Sequence, residues 1–500
     1  MLSTQSYASG VRLRHVLPEA GFYGADDLPV TSCCADSRQI RRGDLFVAIA
    51  GTQHDGHDYV QEAIDAGAAA VLAEQYVPTP GLPVCTVRDT RSAYGRLCQA
   101  LAGDPSRQLP VIGVTGTNGK TTTSWLIASI LKAAGGEVGV MGTLGYCDTV
   151  DSVAAPLTTP TAPVVASWLA RMQANGCSHA VMEVSSHALA QHRVAGVQYD
   201  AACLTNIRRD HLDYHNSVQN YRDIKARLFR QLAPHGLSII NADDPASVEC
   251  LTTLDGPVLT IGMEKPAEIT ATIVEQFRSE QTFLLSAGSD TVPVRTKMIG
   301  THHVYNCLTA AALGLGYGID LATIVRGLEM APPVPGRLER IECGQEFGVF
   351  VDYAHTPDAL LAVLKSLREV TEGRVICVFG AGGDRDRQKR SLMGRVVQTH
   401  ADVTVVTSDN PRTEDPRAIV RDIMCGFKQP FGVEVQVDRA EAIRWALGEA
   451  REGDCVLIAG KGHEDYQIIG QRREHFDDRE FARTWLYEQA AVADCFKRAA

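Results

Sequence analysis

LPVIGVTGTNGKTTTSWLIASILKAAG, residues 109–135, contains the pattern that decides the fold of this chain. Residues 110–114 are apolar and predict a buried strand, and apolar residues at helical spacing begin at Trp125. Between them, Gly116 and Gly119 leave the backbone free to turn tightly and to direct N–H groups at phosphate oxygens. The stretch therefore predicts a phosphate-binding loop at a helix N-terminus, where the helix dipole also favours anions.

The loop itself reads TGTNGKT and is a variant of the general P-loop pattern, because Val114 stands where that pattern has its first glycine. In such a loop Lys120 reaches the β- and γ-phosphates, and Thr121 offers its hydroxyl to Mg²⁺. The alternative is a glycine turn that only joins a strand to a helix. The strand before the loop and the helix after it favour the phosphate-binding interpretation.

Length and composition bound the class of protein. A chain of 500 residues predicts about three domains, and 45% hydrophobic with 21% charged residues is ordinary for a soluble globular protein. A net charge of −11 argues against a nucleic-acid-binding protein. No apolar run approaches the roughly 18 residues of a membrane span, and the N-terminus lacks a signal-peptide core. The 14 cysteines are scattered without C-x-x-C pairs, so we expect reduced thiols in a cytoplasmic protein.

Alternating strand and helix patterns predict three α/β domains. A small first domain covers residues 1–88, a central P-loop ATPase-like domain on a mostly parallel sheet covers 89–335, and a doubly wound, Rossmann-like domain covers 336–500. The boundary at 335 rests on PPVPGRLER, which has three prolines and a glycine between well-patterned segments. Polar clusters at strand ends of the first domain are either ligand loops or solvated turns.

Two more strands of the central domain end in polar residues. HAVMEVSSHALAQHR delivers Glu183 to a strand end, and AACLTNIRRDHLDYH does the same for Asp210 and His211. Because ligands gather at the carboxyl ends of strands in open α/β sheets, we expect these ends to converge on the phosphate loop. A zinc pair of His211 and His215 is the alternative, but HExxH and a companion cysteine cluster are both missing from the sequence.

Three further stretches carry polar residues that the pattern leaves open. Lys225 lies on a predicted helix, where a lysine by itself faces solvent, and Asn306 on another helix could face a nucleotide base. GAGGDRDRQKR has glycines without the G-x-G-x-x-G order, so we predict no dinucleotide site there. Its basic residues favour an anionic ligand, with a solvated charge run as the alternative; they are Arg385, Arg387, Lys389 and Arg390.

Taken in order, nine motifs resemble those of the Mur ligases of peptidoglycan synthesis. They are TGTNGKTTT, MEVSSHALAQHR, TNIRRDHLDYH, the lysine of DIKARLF, VPGRLE, VDYAHTPDA, FGAGGDRDRQKR, SDNPRTEDP and AGKGHEDYQ. The DNPR stretch at 409–412 resembles the signature of the diaminopimelate-adding members. Folylpolyglutamate synthases share the core motifs but not this tail. The resemblance covers nearly the whole chain and implies a cytoplasmic, monomeric ATP- and Mg²⁺-dependent amide ligase without nucleic-acid partners.

The resemblance also implies the residues of the nucleotide and metal sites. It places ATP on Gly116, Thr117, Asn118, Gly119, Lys120, Thr121, Thr122, Asn306, Arg337 and Asp352. It implies a first metal on Thr121 and Glu183, and a second on His211 and a carbamylated Lys225, and it makes Lys120, Glu183, His211 and Lys225 catalytic.

For the other two substrates the resemblance implies two more sets. The UDP-sugar peptide is expected on Ala35, Ser37, Thr52, Gln53, His54, Thr158, Thr159, Ser185, Gln191 and Arg193, with Leu157 where some relatives have asparagine. Diaminopimelate is expected on Arg390, Asp409, Asn410, Pro411, Arg412, Gly460 and Glu464. Arg412 is the predicted reader of the distal carboxylate, because arginine binds carboxylates in a bidentate manner. A hydroxyl kinase and a regulatory or transport ATPase are the alternative classes that share the phosphate loop.

Overall fold

A computed structural model describes residues 10–51 and 54–499, with side chains except at 212–213, 252–253 and 492–499. The predicted three-domain α/β architecture is confirmed: a five-stranded, an eleven-stranded and a six-stranded sheet follow one another along the chain. Thr52 and Gln53, which were predicted to bind the UDP-sugar, lie outside the described residues.

The first sheet is short and mostly parallel, with an antiparallel strand at one edge. In spatial order its strands are Gly21–Tyr23, Val84–Thr86, Ala70–Ala73, Leu45–Val47 and Cys33–Cys34. A two-stranded sheet pairs Val11–Arg12 with Pro29–Val30. The helices here are Leu13–Val16 and Val60–Asp65, with 3-10 turns at Ser37–Gln39 and Gly56–Tyr59.

One helix lies just beyond the predicted boundary at residue 88 but packs with the first domain. Thr90–Leu101 buries Ala93, Leu97 and Leu101 in the core of the first sheet. Its other face, at Cys98, packs on Ala162 and Ala166 of the central domain. Because its larger apolar side chains belong to the first core, we propose a boundary after Leu101 instead of at 88, and we keep the one at 335.

The central sheet is parallel in its middle and antiparallel at both edges. In spatial order its strands are Ser152–Val153, Gly145–Cys147, Val138–Gly142, His179–Glu183, Val111–Thr115, Tyr199–Leu204, Leu232–Asn241, Val258–Gly262, Ile269–Gln276, Gln281–Ala287 and Asp290–Thr296. Its helices are Lys120–Ala133, Ala162–Ala174, Ser186–Ala190, Leu212–His215, Val218–Ala226, Pro245–Val248, Thr301–Gly316 and Leu321–Met330. Apolar cores cover both faces of the sheet, so its middle strands are fully buried.

The third sheet is parallel apart from its first edge strand, and helices cover both of its faces. In spatial order its strands are Glu339–Arg340, Gly348–Asp352, Cys455–Ala459, Val375–Phe379, Val403–Val406 and Val433–Val435. Its helices are Pro357–Glu369, Gln388–His400, Pro416–Met424, Arg439–Glu449 and Asp478–Ala499, and a hairpin joins Tyr466–Ile469 to Arg472–His475. Among the described helices, none combines the length and the apolar character that a membrane crossing requires.

A buried ion pair ties this third domain together. Arg439 donates to both carboxylate oxygens of Asp478 at 2.7 Å, and both side chains are fully buried. The guanidinium also donates to the carbonyls of Ser408 and Ala459, so it links two helices to the ends of two strands.

We expect Asp478→Ala to lower the free energy of unfolding by roughly 3–5 kcal/mol, because it leaves a buried guanidinium without its counter-charge. Urea denaturation followed by circular dichroism measures this loss. Arg444→Ala is the control: Arg444 pairs with Glu441 on the same helix as Arg439, but both side chains are 48% exposed. Its loss should stay below about 1 kcal/mol. Equal losses in the two variants would contradict the assignment.

Candidate functional site

A cleft of about 590 Å³ lies between the central and third domains, at the carboxyl ends of the central strands. The strands Val111–Thr115, His179–Glu183 and Tyr199–Leu204 are neighbours in the sheet, and the polar residues after each of them reach the cleft. The predicted convergence of three strand ends on the phosphate loop is therefore observed. Thr117 to Thr122 line the cleft directly, while Gly116 forms the turn behind them.

Backbone contacts with the neighbouring strand end fix the shape of the loop. Thr117 N–H donates to the carbonyl of Asn206 at 2.8 Å, and the hydroxyl of Thr205 donates to the carbonyl of Asn118 at 2.6 Å. Gly116 has φ +148°, and a Cβ there would lie 1.9 Å from the Thr205 hydroxyl. Only glycine fits at this position, so the local sequence requirement follows from the packing.

Two lysines converge on one carbonyl beneath the loop. The ammonium of Lys120 donates to the carbonyls of Gly116 and Thr117 at 2.9 Å, and that of Lys225 donates to Gly116 at 2.7 Å. Lys225 is 1% exposed, so the solvent-facing alternative for this helical lysine is wrong. Burial, and then the charge of Lys120, hold the pKa of Lys225 well below its usual range. Its amine is therefore the more readily neutral of the two.

Glu183 organises a set of oxygen ligands beside the loop. Its carboxylate accepts from the Thr121 hydroxyl at 2.8 Å, and from the backbone N–H and hydroxyl of Thr143 at 2.7 and 3.0 Å. Hydroxyl and carboxylate oxygens suit Mg²⁺, which takes one or two protein ligands and completes its shell with water and phosphate. The described residues contain no group of three or more His, Cys, Asp or Glu side chains that could hold a metal alone. The donor set therefore fits a metal shared with a phosphate ligand.

His211 lines the cleft from a strained loop. Its φ is +52°, and its ring meets that of His187 edge-on with centroids 4.7 Å apart. Burial lowers the pKa of His211 to about 3, so the imidazole is neutral at physiological pH. His215 does not face it as a metal partner, because its Nε2 contacts the Ser186 hydroxyl at 3.0 Å in the core. This packing disfavours the zinc-pair alternative.

The interdomain linker delivers Arg337 to the cleft. The guanidinium lies over the Tyr353 ring at 4.6 Å and donates to the Thr121 hydroxyl at 3.3 Å. Asp352, buried at the end of its strand, accepts from the backbone N–H groups of Leu338 and Ala354 at 2.6 and 2.7 Å. Asn306 lies beside the phosphate loop, with its side-chain oxygen accepting from the Thr123 hydroxyl at 3.2 Å. These predicted nucleotide residues all line the cleft.

Residues predicted for the peptide end of the UDP-sugar lie on one wall of the same cleft. Thr158, Thr159, Ser185 and Arg193 line it, as does Leu157. The guanidinium of Arg193 donates to the Thr159 carbonyl at 3.0 Å and to the Gln191 side-chain oxygen at 2.8 Å. Gln191 is outside the lining set, so in this structure it supports Arg193.

A second, smaller pocket of about 430 Å³ lies in the first domain. Ala35, Ser37 and His54, predicted for the uridine end, line it together with Asp36 and Arg38. Asp36 accepts from the backbone N–H and the guanidinium of Arg38 at 3.1 and 2.9 Å, and its pKa falls to about 2 as a result. The pocket thus carries a fixed carboxylate beside a cation.

The third domain contributes four predicted amino-acid ligands to the cleft: Asp409, Asn410, Arg412 and Glu464. Arg412 has φ +51° and is anchored by a bond from its guanidinium to the Gly383 carbonyl at 2.7 Å. Pro411 and Gly460 shape the pocket without being among its lining residues. A Cβ on Gly460 would lie 2.5 Å from an Asp409 carboxylate oxygen, so this glycine makes room for the carboxylate.

Arg390 requires a correction. Its side chain is fully buried, and its guanidinium donates to Glu414 at 2.8 Å and to Asp422 at 2.8 Å, which makes it a structural cation. The cleft instead receives Arg385 and Lys389 from the same loop and helix. Arg387 is 70% exposed and pairs with Glu414. Of the basic run, Arg385 and Lys389 are therefore the residues placed to meet an anionic ligand in the cleft.

Several cleft residues escaped prediction from the sequence. Besides Arg385 and Lys389, which were noted only as members of a charge run, they are His302, His303, Tyr353, His355 and Tyr466. His355 belongs to the quoted motif VDYAHTPDA, and its Nδ1 contacts the Tyr353 carbonyl at 2.8 Å, which leaves Nε2 as the acceptor. The motif could therefore have indicated His355 as a site residue, whereas no sequence pattern marked His302 and His303 on the helix Thr301–Gly316.

Three sheets in series, with a phosphate loop that faces a third domain across a cleft, are the arrangement of a multidomain nucleotide-binding enzyme. Comparison with known families gives matches to the Mur ligase family, catalytic domain, at residues 29–100, to the Mur ligase middle domain at 114–314, and to the Mur ligase, glutamate ligase domain, at 336–462.

Similar proteins extend the match over most of the chain. A Geobacillus thermodenitrificans protein named UDP-N-acetylmuramoyl-L-alanyl-D-glutamate--2,6-diaminopimelate ligase is 44% identical, covering 91% of this chain and 94% of its own. A Syntrophomonas wolfei protein of the same name is 43% identical over 93% and 96%. A solved structure of that name has 32% identity and a TM-score of 0.68, covering 96% and 99%. The chain therefore belongs to the Mur ligase family.

The contact between linker and third domain gives a test of this geometry. Gly462 has φ +55°, and a Cβ there would lie 2.7 Å from the Gly336 carbonyl and 2.8 Å from the Tyr353 Cβ. Gly470 has a similar φ of +60° with open space around it.

We expect Gly470→Ala to lower the free energy of unfolding by about 1–2 kcal/mol through backbone strain alone. Gly462→Ala should cost about 1–3 kcal/mol more, because the linker must also move. Urea denaturation of both variants measures the difference. Equal costs would mean that the linker does not depend on this contact.

Proposed function

We propose that the chain is an ATP-dependent ligase that joins meso-2,6-diaminopimelate to the D-glutamate γ-carboxylate of UDP-N-acetylmuramoyl-L-alanyl-D-glutamate, in peptidoglycan precursor synthesis. One observation carries the proposal: the phosphate loop faces, across a single cleft, a third-domain pocket with both arginines and carboxylates. Such a pocket matches a zwitterionic amino acid with a second carboxylate. The names of the relatives at 41–44% identity agree with this reaction.

The reaction has two steps. A γ-carboxylate oxygen of D-glutamate attacks the γ-phosphorus of ATP, and ADP leaves. The amine of diaminopimelate then attacks the acyl carbon, phosphate leaves, and the nitrogen loses a proton. Phosphoryl transfer needs positioning and charge neutralisation, which Lys120, Arg337 and the backbone N–H groups of the loop supply. Asn306 and Asp352 hold the nucleoside end, so ATP bridges two domains.

Mg²⁺ would be held by Thr121 and Glu183, with His211 and a carbamylated Lys225 near a second ion, and it would neutralise phosphate charge. The low pKa of Lys225 supports the modification, because a neutral amine can add to carbon dioxide and the product is an anion. A carbamate on Lys225 would also remove one of the two cations that now share the Gly116 carbonyl.

Diaminopimelate is proposed to lie on Arg412, Asp409, Asn410 and Glu464. Arg412 and Arg385 read the distal carboxylate, and Arg385 replaces the buried Arg390 in this role. Lysine lacks that carboxylate, so its binding would leave a guanidinium without a partner, which sharpens rejection. The uridine end of the other substrate would occupy the first-domain pocket. We further propose a cytoplasmic monomer that acts on small molecules and not on nucleic acid.

Phosphate release tests the function. With ATP, Mg²⁺ and the UDP-dipeptide, we expect release to require an amino acid and to be at least about tenfold faster with meso-diaminopimelate than with L-lysine. Lys120→Ala should abolish turnover, because the β- and γ-phosphates lose their cation. Release without either acceptor would favour an ATPase, and equal rates with both amino acids would contradict the pocket assignment.

Arg412→Ala and Arg412→Lys should each raise KM for diaminopimelate about ten- to a hundredfold, because charged hydrogen bonds are worth about 1.5–3 kcal/mol and lysine cannot form the bidentate pair. KM for ATP should stay unchanged. Initial rates at varied concentrations of each substrate measure both constants. Arg417→Ala, an exposed arginine just beyond the loop, is the matched control. An equal rise in KM for diaminopimelate and for ATP would argue against a specificity role for Arg412.

A further inference from the structure

Lys461 is a fully buried cation directly behind the proposed amino-acid pocket. It follows the strand Cys455–Ala459, and its side chain has no exposed surface. Its ammonium reaches three acceptors: the side-chain oxygen of Asn410 at 3.3 Å, a carboxylate oxygen of Glu464 at 3.3 Å, and the carbonyl of Tyr466. An ammonium has three N–H donors, so these acceptors use them all. Lys461 therefore has no donor left for a substrate and can act only through its neighbours.

Two of those neighbours face the cleft. Asn410 and Glu464 both line it, and the Asn410 amide donates to the same Glu464 oxygen, Oε2, at 2.8 Å. The Asn410 oxygen also accepts from the backbone N–H of Ile468 at 2.9 Å, which fixes the orientation of the amide. Within the described part of the chain, the other Glu464 oxygen, Oε1, has no hydrogen bond. One carboxylate oxygen is thus held from behind and the other is left for a ligand.

Besides orienting Glu464, Lys461 also affects the ionisation of this carboxylate. Burial and the nearby Asp409 carboxylate raise the pKa of Glu464, and Lys461 and Asn410 oppose that rise. Arg439 faces the same carboxylates from the helix behind, and Tyr353 and Tyr466 flank Glu464 on the cleft side. Among these groups Lys461 is the cation in direct contact with Glu464. Without Lys461, the carboxylates of Asp409 and Glu464 would lie close together in a buried pocket, and one of the two would take up a proton.

We propose that Lys461 is a positioning residue for amino-acid selection: it orients Glu464 and keeps it ionised, so that Oε1 accepts the ammonium group of the incoming diamino acid. The inference rests on the proposed function and adds a specificity-determining residue outside the substrate contacts. If the ion pair of Lys461 and Glu464 were purely structural, its loss would lower stability and would not change KM for diaminopimelate more than KM for ATP or for the UDP-dipeptide.

The test replaces the charge with an apolar chain of similar length. We expect Lys461→Met to raise KM for diaminopimelate about ten- to a hundredfold, with KM for ATP and for the UDP-dipeptide within about twofold of wild type. The rise should be larger at about pH 6.5 than at about pH 8.5, because Glu464 with a raised pKa is protonated, and loses its attraction for an ammonium, as the pH falls.

A double-mutant cycle with Glu464→Gln separates action through Glu464 from other effects. In the Glu464→Gln background, Lys461→Met should raise KM for diaminopimelate by less than about threefold, because the carboxylate that Lys461 serves is already gone. Arg374→Met is the control for a lost cation: Arg374 pairs with Asp454 at the opposite end of the sheet, and its loss should lower stability without changing KM. Lys461→Gln, which keeps a donor but not the charge, replaces Lys461→Met if that variant does not fold, with the same expected rise.

An unchanged KM for diaminopimelate, an equal rise in all three KM values, or full additivity with Glu464→Gln would overturn the inference. These outcomes differ from failure of the proposed function. If wild type shows no diaminopimelate-dependent turnover, the reaction itself is wrong, and the inference falls with it. If wild type is active and the variant keeps its KM, only the role of Lys461 is wrong.

Discussion

The close backbone contact between Gly336 of the linker and Gly462 of the third domain sets the geometry on which the site depends. Gly336 of the linker passes so close to the loop at 462–463 that a Cβ on it would lie 2.1 Å from the backbone nitrogen of His463. Because nothing larger than hydrogen fits there, the linker is held against the third domain, and the next residue, Arg337, points back toward Thr121 of the central domain. The contact thus lets the guanidinium of Arg337 reach both the Tyr353 ring of the third domain and the Thr121 hydroxyl beside the phosphate loop.

Buried cations recur throughout the structure, and their partners distinguish structural cations from those of the site. Arg390 pairs with Glu414 and Asp422, and Arg439 pairs with Asp478; none of these three carboxylates lines the cleft, and each cation links separate elements of the third domain. Lys120 and Lys225 instead donate to carbonyls of the phosphate loop, and Lys461 donates to Asn410 and Glu464, which line the cleft. A buried charge must be satisfied in either case. What differs is whether the group that satisfies it also meets a ligand.

The sequence predicted the parts of this protein that are local. TGTNGKT specified its own loop because glycines, lysine and threonine there act within one turn, and the three-domain order followed from alternating strands and helices. Lys225 was harder, since helical position alone cannot tell that Tyr221 and the phosphate loop would bury it. Arg385 and Arg390 lie only five residues apart in one basic run, and which of them reaches the cleft depends on where the helix Gln388–His400 begins and on Glu414 and Asp422 from elsewhere in the domain. Such long-range partners have no local signature.

The packing of the helix Thr90–Leu101 between two domains bears on how long a ligand must be to reach both the first-domain pocket and the phosphate loop. It belongs to the first core, yet its far face meets Ala162 and Ala166 of the central domain, and small side chains allow two helices to approach closely. The packing of these two helices therefore joins the first domain directly to the central domain, while the third domain follows the central domain through the linker. A molecule that fills the first-domain pocket therefore reaches the phosphate loop only if its length matches the distance between the two sites.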